Sequence, residues 1–102
     1  MHLNPFHVGD FGLAINLTVA DAKGVFIDIS AASATEYEIE DPQRNISTVT
    51  ASFVNAGADG KLTYVLVSGD LDEPGVWKVR VKITEGVSKC YRTEKLEFPV
   101  DL

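Results

Sequence analysis

Apolar and polar residues alternate along most of this chain. Phe11, Leu13, Ile15, Leu17 and Val19 are interleaved with Gly12, Ala14, Asn16 and Thr18, the two-residue period of a strand with one buried face. Asp21-Ala22-Lys23-Gly24 then supplies a turn, with Gly24 suited to positive φ. Val25 to Ile29 reads as a short second strand, Ser30 to Ala34 as a small-residue connection, and Thr35 to Glu40 alternates again. Asp41-Pro42-Gln43-Arg44-Asn45 breaks the pattern, because proline brings no N–H to a ladder and restricts the residue before it. Ile46 to Val54 resumes it, with Val49, Ala51 and Phe53 on one parity. Asn55 to Gly60 is the loosest loop, ending in the hairpin signal Asp59-Gly60. Leu62, Tyr64 and Leu66 form the next inward face, and Ser68 to Gly75 a turn-rich corner. Trp77, Val79, Val81 and Ile83 mark a further strand, and Lys89 to Val100 one or two more after a turn at Glu85-Gly86.

This pattern predicts seven or eight strands, with turn signals roughly every eight to twelve residues and no helical period. That is the spacing of an antiparallel β-sandwich, with a small barrel as the competing architecture. No internal repeat or linker interrupts it, so one domain is expected. The outward parity of 35–40 reads Glu36, Glu38, Glu40, and that of 77–83 reads Lys78, Arg80, Lys82. Each row repels itself unless the two lie side by side, which predicts that these strands are sheet neighbours. The other reading has each row facing a partner protein.

Charge and composition narrow the function. The formal net charge is −6 and the sequence pI about 4.7. That balance argues against nucleic acid, which needs a basic field, and offers nothing to anionic lipid. No run approaches the eighteen apolar residues of a membrane span, and Met1 to Phe6 does not read as a secretory signal. Use in a cytoplasm, or in a particle assembled there, is the expectation. Cys90 is the single cysteine, so no intramolecular disulfide forms. A catalytic thiol needs a base, and the two histidines, His2 and His7, stand far off in the N-terminal segment.

No zinc-ligand spacing, phosphate loop or nucleophile elbow is present. The corner Asp70-Leu71-Asp72-Glu73 lacks the ligand order of a calcium loop and reads as a solvated turn. Asn16-Leu17-Thr18 and Asn45-Ile46-Ser47 match the glycosylation pattern, which carries no weight without a secretory signal. Catalytic residues, metal ligands and cofactors are therefore all expected to be none, and the chain is expected not to be an enzyme. Tyr37, Tyr64, Trp77 and Tyr91 suggest a sugar platform at first sight. Three fall on inward parities, so core packing is the better reading, with Trp77 finding a carbonyl for its indole N–H. The sharpest binding candidates are Leu3, Phe6 and Val8, apolar residues in an N-terminal arm (1–8) that Pro5 and its polar neighbours keep from any regular pattern.

Several segments carry a resemblance. Gly9-Asp10-Phe11-Gly12 opens the long first strand, followed by Thr18 to Gly24 and Val25 to Ser30. Asp59-Gly60-Lys61-Leu62-Thr63-Tyr64 and Gly69-Asp70-Leu71-Asp72 leading to Gly75-Val76-Trp77-Lys78-Val79 continue it. Over about residues 8 to 100 the chain resembles the immunoglobulin-like N-terminal domain of phage baseplate upper proteins and related tail, fibre and head-decoration proteins. One departure is Pro42-Gln43-Arg44-Asn45, where members often carry a Pro-Asp-Gly-like turn. The resemblance implies a single immunoglobulin-like sandwich over 9–102. It also implies a non-enzymatic virion component, assembled in the host cytoplasm, that binds other virion proteins in symmetric multi-copy fashion through edge strands and loops. With the chain ending at Leu102, a decoration, collar or tail-adaptor subunit is expected. A carbohydrate-binding or host-adhesion module is the alternative.

Overall fold

The computed structural model describes residues 6–102. Among them the chain is all-β and lies in two sheets. The larger holds β1 (Phe6–His7), β9 (Leu96–Asp101), β7 (Gly75–Glu85), β3 (Ala34–Glu40) and β4 (Ile46–Thr50) in that order, with β8 (Lys89–Arg92) also pairing β7. The smaller holds β2 (Ala14–Thr18), β6 (Lys61–Val65) and β5 (Ser52–Phe53). The sheets face one another across a shared core, in a sandwich-like arrangement.

The long β7 organises the larger sheet. Its first half pairs β9, its second half pairs β8, and β3 runs along the other side. Trp77, Val79, Val81 and Ile83 are buried on one face, as the period predicts. They meet Tyr37 and Ile39 from β3, and Ile15, Val19, Leu62 and Leu66 from the smaller sheet and its continuations. Trp77 is 4% exposed and stacks on Phe98 at 6.4 Å between centroids, while its Nε1–H donates to the Glu73 carbonyl at 3.0 Å. The charged rows lie where their parity put them. Glu36, Glu38 and Glu40 stand opposite Lys82, Arg80 and Lys78 in the β3–β7 register.

Three segments depart from the alternation. Phe11 is 64% exposed, because the strand begins only at Ala14. Gly12 takes φ +79° and turns its N–H onto the Leu66 carbonyl, so the residue before it leaves the extended path. Val25 to Ile29 forms no strand beyond a bridge between Ala20 and Phe26. Asp21 Oδ1 accepts from the N–H groups of Lys23 and Val25, and Asp28 Oδ1 from that of Ser30, while Ile27 and Ile29 donate to the carbonyls of Val19 and Gly57, so the bonds are divided among several partners and no ladder runs along the segment. Ile46 to Phe53 is divided. β4 pairs β3 in one sheet, Ala51 crosses between them, and β5 pairs β6 in the other. With β1 added by the N-terminal segment, the described residues hold nine strand segments, several of them short; the expectation was of seven or eight strands.

Ala51 is held at the crossing from both sides. Its N–H donates to the Thr35 carbonyl, and Thr35 Oγ1 donates back to the Ala51 carbonyl, each at 2.9 Å. Thr35 is the buried polar side chain of the core and is thereby satisfied. The loop before β6 is fixed as tightly. At Gly60 (φ +75°) a Cβ would lie 2.6 Å from the Val19 carbonyl oxygen and 2.8 Å from that of Ile27, so only glycine fits.

Candidate functional site

The features of this fold that lack an internal partner are strand edges. Among the described residues β4 pairs with β3 alone. Its register is set by bonded pairs at both ends: Ala51 N–H to Thr35 O, and Asp41 N–H to Asn45 O, both 2.9 Å. Bonded and non-bonded pairs alternate in an antiparallel ladder. Val49 and Ser47 therefore bond inward to Tyr37 and Ile39. Ile46, Thr48 and Thr50 turn their N–H and C=O groups away from the sheet. The strand Ile-Ser-Thr-Val-Thr holds no charge and no proline, and all its residues but Val49 are exposed. It has none of the charge, proline or bulge with which an edge is usually guarded.

β2 is the second open edge. The bonds Val19 N–H to Gly60 O and Leu66 N–H to Leu13 O fix its ladder, so Ala14, Asn16 and Thr18 present their backbone groups outward. Beside this edge a groove of about 490 Å³ opens between the sheets. Leu17, Ala20 and Asp21 form one wall, and Arg92, Thr93 and Leu96 the other, with buried Val81 at its floor. The opening exists because the chain between β8 and β9 leaves the sheet at Thr93, whose hydroxyl accepts from the Val81 N–H and whose own N–H donates to the Val81 carbonyl.

Part of the charge on the outer face of the larger sheet is paired across strands. Burial pushes the Glu38 carboxyl up, but Arg80 and Arg92 outweigh it. Their Nε atoms lie 2.6 and 2.9 Å from its Oε1, and the group is held below its usual range. Lys95 Nζ donates to Glu40 at 2.8 Å and lowers that carboxyl too. Arg92 and Lys95 arrive from beyond β7, a contact no parity in the sequence announces.

The described arm residues have found partners within the chain. β1 pairs parallel with β9, and the Phe6 ring meets Phe98 edge-on at 5.7 Å. Phe6 and Val8 both pack against the core from its margin, while Leu3 lies outside the described residues. The aromatics that suggested a sugar platform do not form one: Tyr37 and Tyr64 meet edge-on at 6.3 Å between centroids, and Trp77 is buried. Tyr37 is fully buried, its hydroxyl donating to the Ile15 carbonyl at 3.0 Å, and burial pushes its pKa up to about 12. Tyr64 is also pushed up to about 12, by burial and by Asp70, which accepts its hydroxyl proton at 2.7 Å. Asp70 takes the Val67 N–H as well, so this acid braces its own corner. Cys90 is exposed on β8. Among the described residues no group of three or more His, Cys, Asp or Glu is placed to hold a metal ion.

The chain matches no protein-family model, no curated protein and no solved structure.

Proposed function

We propose that this chain is a non-catalytic, immunoglobulin-like assembly module, a phage virion component that binds other virion proteins by strand addition at its open edges. The observation that carries the reading is the pair of uncharged edges, β2 and β4, whose outward backbone groups have no partner among the described residues. Such edges are a hazard in a monomer, and useful in a protein whose edges are covered on assembly. The groove beside β2 adds an apolar floor, so an extended segment laid along Ala14 to Thr18 gains side-chain burial as well as backbone bonds. The virion setting comes from the sequence resemblance, and the acidic, cysteine-poor composition agrees with it.

The experiment is mass spectrometry of particles purified from the source of this chain, with copy number measured against a known capsid or tail protein. The chain is expected in a fixed, symmetric stoichiometry. Its absence from particles, with abundance only in the surrounding lysate, overturns the virion reading. Asn16→Pro, which removes an outward N–H of β2 without touching a β2–β6 bond, is expected to keep the fold and lower incorporation at least about tenfold.

A further inference from the structure

We infer that β4 pairs with β4 of a second copy of this chain, antiparallel about a two-fold axis at Thr48. This names one partner of the assembly reading. It is tested on the purified chain alone, so it stands or falls separately from the presence of the protein in particles.

The register follows from which groups face outward. Ile46, Thr48 and Thr50 carry the unpaired N–H and C=O groups, so the pairing that uses all of them sets Thr48 against Thr48 and Ile46 against Thr50 on each side. On the outer face this makes a row of β-branched neighbours, which cross-strand packing favours. The other uncharged edge of this length is a poorer match for itself: about the corresponding axis β2 would set Asn16 against Asn16 and Ala14 against Thr18, and asparagine and alanine have the weaker strand preference.

The ends of the strand argue for a second copy rather than an arbitrary extended segment. Two residues beyond Thr50 the chain has crossed to the other sheet, and its departure leaves a hollow of about 480 Å³ lined in part by Ala34, Glu36, Thr50 and Ala51. In the register above, position 44 of the second copy falls beside the vacated position 52. That brings Arg44 and its turn to the hollow. Glu36 is the one acid of its row with no ion pair among the described residues, and Arg44 is likewise without one. The two-fold axis makes this complement twice. The Glu rows of the two copies are kept apart by both β4 strands, at a strand spacing of about 4.8 Å, so no like charges stand directly opposite. A five-residue edge buries less than the ~1,200 Å² of a standard stable interface, so the pairing is weak between free chains and firm where many copies are held together.

Sedimentation equilibrium from micromolar to millimolar protein tests this. The wild-type chain is expected to show a reversible monomer–dimer equilibrium. Thr48→Lys sets like charges at the axis, and Thr48→Pro removes an N–H that only the second copy uses. Each is expected to raise the dissociation constant at least about tenfold while leaving the circular dichroism spectrum and unfolding midpoint near wild type. Arg44→Glu is expected to weaken it about threefold or more, less so as salt is raised. A wild-type chain that stays monomeric throughout, or dimerisation untouched by both Thr48 variants, overturns the interface. Arg44→Glu without effect overturns the register.

Discussion

Trp77 is the residue whose environment is most completely specified. The ring is buried between sheets, stacked on Phe98, and its N–H is satisfied by Glu73. Trp77→Ala removes all three and is expected to cost about 3–5 kcal/mol, a large share of the stability of a domain this size. Trp77→Phe keeps a ring but strands the Glu73 carbonyl, and about 1–2 kcal/mol is the expected loss. Urea midpoints of the two variants check the order. Glu38 offers a test of a different kind. Its carboxyl is held below the ordinary 4.5 by Arg80 and Arg92, so the charged form is favoured in the folded state. The stability it contributes is full above the unfolded value and drains away as pH falls through the lower folded one. Wild-type unfolding midpoints should therefore fall with acidification from about pH 5 downward. Glu38→Gln should be less stable at neutral pH, with two arginines short of a partner, and show a shallower acid limb. An unchanged acid limb in the variant would mean the triad is not formed in solution.

At the scale of elements, what could be read in the sequence depended on whether a physical event leaves a period behind. The β3–β7 register was legible because two single-sign rows on outward parities need each other. The crossing at Ala51 was not, since Val49, Ala51 and Phe53 all point to the core on either side of it and the parity never skips. Val25 to Ile29 misled for a related reason: the residues suit a strand, but Asp21 takes the Val25 N–H while the Ile27 and Ile29 N–H groups go to carbonyls of two different segments, so no one neighbour runs alongside as a ladder. As for the candidate site, an uncharged run such as Ile46 to Thr50 is visible in the sequence, but whether it is an edge or a centre is decided by topology. Gly60 belongs to this scale because its contacts tie three segments together. Gly60→Ala puts a methyl group against the carbonyls of Val19 and Ile27 at a φ that alanine resists. A loss of about 2 kcal/mol or more is expected, with amide exchange accelerating first along β2 and β6, where the Val19–Gly60 bond closes the ladder. Protection lost uniformly instead would show that the loop unfolds only with the whole molecule.

Taken whole, the molecule is tied together near its two ends: β1 lies along β9, Val8 donates to the Asp101 carbonyl at 2.8 Å, and Gly9 donates to Leu71 at 2.9 Å. The N-terminal segment can thus serve stability, assembly or both, and the two roles separate experimentally. Phe6 is half-buried against Phe98, and burying a whole phenylalanine contributes roughly 1.5–3 kcal/mol, so Phe6→Ala is expected to cost about 1 kcal/mol. For a domain of this length that lowers the melting midpoint by about 4–8 °C. Deleting residues 1–7 removes β1 altogether and is expected to lower the midpoint by at least as much while unfolding stays cooperative, because β7, β3 and the facing sheet keep their contacts. On the proposed virion role, incorporation into particles is then compared at a temperature where both variants are fully folded. If the segment also docks onto a neighbouring subunit, the truncated chain is incorporated less well than Phe6→Ala even there. Equal incorporation by the truncated and wild-type chains at that temperature would confine the segment to its role on β9, and recruitment would rest on the edges β2 and β4.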